Sequence, residues 1–360
     1  MTTLRALWVA AALLVPCAAA ALEIAQVVAS SHAFRPAEGE QISLRFHVSK
    51  AATVMVNVYD GRELLVRRIR ADLDAGEHAV TWDGRDDQGR LLPDEAYHYT
   101  LAATGEDDHS VVHDLTDLTG GERLRVEDVA WDAESGVLSY RLPRPARVNV
   151  RLGLVNHGPL LRTLVDWVPR PAGVNREVWD GFDASAVLDL ARHPNLDVAV
   201  EAYALSDNTV FLGTPPVAIA FAAIDEPAER RQPTQVPRKR MYEHSQQPLD
   251  ARGDVAIVLS LPADTPKDVD GAYLVSGRVP VRLDVAAHDR QRVLDRRFEP
   301  VFFVDGTFVF ENEVGFLPTT WIWDTTRYPV GEHFVTANLR GYEGNFGMAT
   351  VRVRVVEGTE

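Results

Sequence analysis

Cysteine is nearly absent. Among 360 residues there is one, Cys17, and it lies in an N-terminal stretch with the outline of a secretory signal. Arg5 is the lone charge there, an apolar run follows from Ala6 to Val15, and small residues close it at Ala18 to Ala21, so cleavage is expected near Ala21. The mature chain then has no thiol. Disulfides, cysteine-bound metal and covalently attached haem are excluded, and the cores must rest on packing. Cys17 has a second reading as a lipid-attachment site, since Leu14-Val15-Pro16-Cys17 outlines a lipobox with proline where a small residue is usual. The apolar run falls short of the about 20 residues a membrane-spanning helix needs, and no later segment approaches it; the mature protein is expected to be soluble.

Lysine is almost as scarce, with Lys50, Lys239 and Lys267 the only three. The chain carries a formal charge of −15, and losing Arg5 with the signal leaves 36 basic against 52 acidic residues, or −16. Phosphate recognition needs a basic face, so no nucleic-acid partner is expected. Catalytic signatures are missing as well. The eleven histidines form no His-Glu-x-x-His, and no Gly-x-Ser-x-Gly, P-loop or dinucleotide glycine fingerprint occurs. No enzymatic activity, cofactor or metal is expected.

No sustained helical period follows the signal. The period is two, as in Thr53-Val54-Met55-Val56-Asn57-Val58-Tyr59 and Ala349-Thr350-Val351-Arg352-Val353-Arg354-Val355, which places apolar side chains on one face of a strand. Short strands between Gly, Pro, Asp and Asn clusters give an all-β reading. Val301 to Phe310 is the clearest hairpin, because Asp305-Gly306 tolerates the positive φ angles of a tight turn. An internal repeat is also present. Ala75-Gly76-Glu77-His78-Ala79-Val80-Thr81-Trp82-Asp83-Gly84 is echoed by Ala172-Gly173-Val174-Asn175-Arg176-Glu177-Val178-Trp179-Asp180-Gly181, at a spacing of 97 residues from Gly76 to Gly173 and from Trp82 to Trp179.

Ser43 to Val48, Val54 to Tyr59, Gly76-Glu77-His78, Trp82 to Arg90 and Tyr97-His98-Tyr99 together resemble the Ig-like domain of the flagellar hook-capping scaffold FlgD, a module that recurs in secreted bacterial proteins. The second copy keeps Gly173 and Trp179-Asp180-Gly181 but has Phe182-Asp183-Ala184-Ser185 in place of the Asp-Asp-Gln-Gly turn. A third unit, with Trp323-Asp324-Thr325-Thr326 followed by Tyr328-Pro329-Val330-Gly331-Glu332-His333, is similar to bacterial Ig-like domains. The resemblance implies three tandem immunoglobulin-like β-sandwich domains after the signal peptide of residues 1–21: FlgD-type domains at 22–120 and 121–224 and a bacterial Ig-like domain at 253–360. Residues 225–252, with Pro227, Pro233, Pro237 and Pro248, read as a charged linker across which the third domain moves. It also implies a spacer or adhesion role and no reaction. The expectation is an exported, periplasmic or extracellular, non-catalytic scaffold with a protein partner in the envelope or outside the cell.

The alternative is carbohydrate binding. Trp321 and Trp323 are two apart, so in a strand they share a face, and with Tyr328 they are the candidate ligand-binding residues for stacking a glycan; the competing reading is core packing. Trp82 and Trp179 are read as core. Asp83, Asp86 and Asp87 supply carboxylates of the kind calcium accepts, against a plain reading as turn formers. Glu106-Asp107-Asp108-His109 with His113-Asp114 reads as a solvated connector, His78 and His333 as exposed strand starts, and Arg238-Lys239-Arg240 as a linker cluster.

Overall fold

The computed structural model describes residues 21–213, 252–341 and 345–358. Apart from Ala21 and Arg252, the signal and linker assignments, with Cys17 and Arg238-Lys239-Arg240, lie outside the described residues.

The strands β1 (Ile24–Ala29), β2 (Ala33–Phe34), β3 (Ile42–Val48), β4 (Ala52–Tyr59), β5 (Leu65–Leu73), β6 (Gly76–Trp82), β7 (Ala96–Gly105) and β8 (Ser110–His113) build the first unit. Its sheets run β1-β3-β6 and β5-β4-β7, with β8 also on β7. The two-residue period decides the faces: Leu44, Phe46 and Val48 of β3 and Val54, Val56 and Val58 of β4 turn inward and are buried, while their neighbours face out.

In the second unit, β9 (Glu127–Asp132), β10 (Val137–Leu142), β11 (Ala146–Leu154), β12 (Leu160–Arg170), β13 (Gly173–Val178) and β14 (Leu196–Ala204) form sheets β13-β10-β9 and β12-β11-β14 around Leu138, Tyr140, Val148 and Val150. The next strand, β15 (Thr209–Leu212), does not stay there. It pairs antiparallel with β7 and parallel with β2, extending the first unit's sheet. Ala33, Ala96, Leu205 and Phe211 close a small apolar cluster at that return. A segment that sequence order counts with the second unit therefore completes the first.

The third unit holds β16 (Ile257–Ser260), β17 (Tyr273–Val275), β18 (Arg278–Val285), β19 (Phe298–Val304), β20 (Thr307–Glu311), β21 (Thr319–Asp324), β22 (Gly331–Gly341) and β23 (Phe346–Val355), in sheets β16-β18-β21 and β17-β23-β22-β19-β20. The β19–β20 turn is the expected one: Asp305 and Gly306 have φ of 49° and 77°, and Val304 pairs with Thr307. A side chain at Gly306 would also meet Leu154 of the second unit, whose Cδ1 lies 2.7 Å from the Cβ position.

The repeat holds in the loops as well as the strands. Trp82 Nε1 donates to the Arg85 carbonyl at 3.0 Å and Trp179 Nε1 to the Phe182 carbonyl at 2.9 Å. Leu92 N reaches Gly84 O as Leu190 N reaches Gly181 O. Asp86 Oδ1 accepts from the backbone N–H of Gln88 and Arg90, and Asp183 Oδ1 from that of Val187 and Leu188. Gly89, at φ 76°, has its counterpart in Ala186, at φ 54°. The left-handed region costs an L residue about 1–2 kcal/mol, so Ala186→Gly is expected to raise stability by roughly 0.5–1 kcal/mol in urea unfolding, and Gly89→Ala to lower it.

Candidate functional site

Trp321 and Trp323 do share a face, and it is the inner one. β21 pairs only with β18, through Val279↔Trp323 and Val281↔Trp321, so both rings point at the opposite sheet while Ile322 is exposed. Trp323 is 1% exposed. Tyr328 and His333 meet its ring edge-on at 5.3 and 6.4 Å, and Trp321, half-buried, packs 5.7 Å from Phe302. Trp323 thus belongs to a core cluster against which Trp321 and Tyr328, both partly buried, are packed. Trp82 and Trp179 are buried too, as read from the sequence.

His333 is not an exposed strand start. It is buried, with Nδ1 2.6 Å from Asp305 Oδ2 and Nε2 2.8 Å from the Pro329 carbonyl. Burial opposes its protonation, but Asp305 and the carbonyl outweigh it and raise its pKa. His78 makes the same local contact, Nε2 to the Asp74 carbonyl four residues back at 2.7 Å. The carboxylates of the Asp83–Gly89 turn are used by the turn and the neighbouring strand: Asp83 accepts from Arg85 N, Asp87 from Arg68 N of β5, and the N–H groups of Arg90 and Gln88 with the Arg90 guanidinium hold Asp86 below the usual carboxylate range. Among the described residues no three His, Cys, Asp or Glu side chains gather at metal-binding distance.

Buried charge also gathers at the joints between units, where sequence reasoning placed nothing. Glu95, on the loop entering β7, takes Arg147 of β11 on Oε1 and Arg252, at the root of the third unit, on Oε2, each at 2.9 Å. The three side chains are 12%, 3% and 11% exposed. Arg147 Nη1 also reaches the carbonyl of Trp167 at 3.4 Å. That carbonyl is aimed by an irregularity: Trp167 has φ 51°, and the β11–β12 register slips between Val148 and Val150. Burial lowers the Arg147 pKa to about 10, and Glu95 works against that fall. The pull of the two guanidiniums on Glu95 exceeds its desolvation and keeps its pKa low. Arg144–Asp207 and Asn208, whose Nδ2 donates to Tyr99 O and Thr116 Oγ1, complete the joint of the first two units.

The second and third units meet through polar contacts. Asn338 accepts from Leu160 N at 2.8 Å and donates to Leu160 O at 2.7 Å; Ser185 Oγ accepts from Thr350 N at 2.8 Å; Arg151 lies 4.2 Å over the Phe346 ring. Gly253 N donates to Asp166 Oδ2 at 2.6 Å and Thr163 Oγ1 to Asp254 Oδ1 at 3.2 Å. The third unit is therefore seated on the second. Desolvation at this joint, with Asp166 nearby, pushes the Asp254 carboxyl up to about 6, although solvent still reaches the residue. A carboxyl raised in the fold stabilises while protonated, and that contribution is lost as pH climbs from the unfolded value near 4 through about 6. Asp254→Asn is accordingly expected to raise the melting temperature at pH 7.5 and to leave it nearly unchanged at pH 4.

Concave space is modest. A cleft between the first two units, lined by Asp60, Glu63, Tyr97, Arg147 and Ser206, holds about 40 Å³, room for water. A hollow of about 300 Å³ beside Arg296, Arg297, Glu313 and Val314 is open and polar. Among the described residues no helix is long and apolar enough to cross a membrane. Flat outward surface is more plentiful: on β13, Val174 and Val178 project to solvent, and Val178 is 82% exposed.

Two-sheet units of this kind place the chain among immunoglobulin-like β-sandwich proteins. Residues 31–107 match the family described as FlgD Ig-like domain, which confirms the resemblance for the first unit. Similar solved structures include FlgD from P. aeruginosa, at 24% identity over 24% of this chain and 67% of that one (TM-score 0.21). They also include the fibronectin(III)-like modules of Clostridium thermocellum CbhA, at 10% identity over 93% and 98% of the two chains (TM-score 0.21). A tandem repeat from the extending region of a large adhesion protein is 15% identical over 92% of this chain and 74% of that one (TM-score 0.22). No curated protein matches the chain.

Proposed function

We propose that this chain is an exported, non-catalytic scaffold whose three sandwich domains are joined into one body and present flat sheet surfaces to a protein partner in the envelope or outside the cell. The domain limits follow the sheets, with residues up to Leu212 that pair with β7 assigned to the first domain and the third domain opening at Arg252. The observation that carries this reading is the joinery: a strand that follows the second unit's sheets and completes the first unit's, and one largely buried carboxylate tied to both neighbours, a construction that links the units in a defined arrangement. Buried charge is expensive and is kept where geometry must be specified. The signal-like N-terminus supports export, and the exposed Val174 and Val178 of β13, with Arg176 between them, offer an outward contact face.

A photo-crosslinking residue at Val178, introduced in the producing cell, tests it. The expected result is a discrete adduct with another envelope or secreted protein, lost when the residue is moved to Asp74 on an exposed turn. Export with no adduct from Val178, Val174 or Val112, or a chain retained in the cytoplasm, would overturn the reading.

A further inference from the structure

The three members of the ionic joint are unequally held. Arg147 has Glu95 and the Trp167 carbonyl, leaves only its Nε without an acceptor, and lies inside the second unit's sheet. Among the described residues the Arg252 side chain has Glu95 alone: both its Nε and Nη2, the edge that takes a carboxylate side-on, are buried without an acceptor. Two guanidiniums therefore share one carboxylate. If Arg252 leaves, it regains water on three nitrogens, and a balanced Arg147–Glu95 pair stays behind. Behind Arg252 the chain is gripped by the third unit itself, with Arg292 donating to the carbonyls of Arg252, Gly253 and Asp254, so the residue moves with that unit. The remaining seat is built mainly from hydrogen bonds that water can replace, Asn338 on Leu160, Ser185 on Thr350 and Gly253 on Asp166, with Arg151 over Phe346 and Leu154 beside Gly306.

We propose that the Arg252–Glu95 contact is a latch: it holds the third unit docked against the first two, and its release lets that unit swing away as a body while the joint between the first two stays closed. The device goes beyond the scaffold reading, because it gives the third unit two positions relative to the first two.

The chain's single cysteine makes the measurement direct. With Cys17→Ser, spin labels at Ser110→Cys in the first unit and Val269→Cys in the third report their separation by pulsed electron resonance. At low ionic strength one narrow distance is expected. In about 1 M salt, which screens the guanidinium set free in the open form far more than the buried closed pair, a second, longer population is expected. Arg252→Met should show that longer population at low salt, several-fold above the unaltered chain; Arg252→Lys should suppress it; and Arg141→Met, which breaks the exposed pair with Asp128, should leave the distance unchanged. A pair of labels within the first two units, at Ser110 and Val178, should hold one distance throughout. A single unchanged distance in high salt and in Arg252→Met, or equal opening in Arg252→Lys and Arg252→Met, overturns the proposal. The salt series uses unaltered joint residues, so a misfolded variant does not remove the test.

Discussion

Glu95→Gln is expected to cost about 3–5 kcal/mol in denaturant unfolding, the range for removing one partner of a buried ion pair. The size follows from the stoichiometry: the amide leaves two guanidiniums facing one another with no countercharge, and Arg147 is too deeply placed to turn to water. The loss should be accompanied by a split of the unfolding curve. While Glu95 ties the units together they unfold as one, and without it the third unit should melt separately from the first two. Arg252→Met should lower stability far less than Glu95→Gln, because it leaves a neutral pair. Equal losses in the two variants would show that the carboxylate is not the centre of the joint.

Trp323→Ala is expected to cost about 3–5 kcal/mol, as for other large aromatic side chains deleted from a packed core. The ring lies opposite Val279 in the sheet and is met edge-on by Tyr328 and His333, so its removal leaves both of those rings without their partner. Trp321→Ala, at the half-buried end of the same face, should cost less. Thermal melts of the two variants give the ranking, and a glycan-binding assay on the unaltered protein should give no signal that either variant abolishes. A smaller loss for Trp323→Ala than for Trp321→Ala would mean that the inner face has been misread.

Both cases show where reading from sequence succeeds and where it stops. The alternation in β4 and β23 is a local property, so the strands and their inward residues were legible, and the Asp305-Gly306 turn follows from backbone sterics alone. The face on which Trp321 and Trp323 lie was not legible, since two-residue spacing states that they share a face and the partner strand decides which. The second copy of the Asp86 loop was hidden by its residue types, yet the spacing of 97 already pointed from Asp86 to Asp183 and from Gly89 to Ala186. The ionic joint had no local signal at all. Glu95, Arg147 and Arg252 are ordinary surface residue types, separated by 52 and 105 positions, and only the return of β15 to β7 and the seating of the third unit bring them together.

That return strand has a consequence for a chain that is made N-terminus first. The first sandwich lacks an edge of its larger sheet until Leu212 has emerged, so about three-fifths of the 360 residues must be made before the leading domain can close. Until then β7 exposes the backbone groups that Thr209 to Phe211 will cover, a template for wrong pairing during synthesis. A chain truncated after Ala204 should emerge sticky and protease-sensitive although all the strands of its first sequence repeat are present.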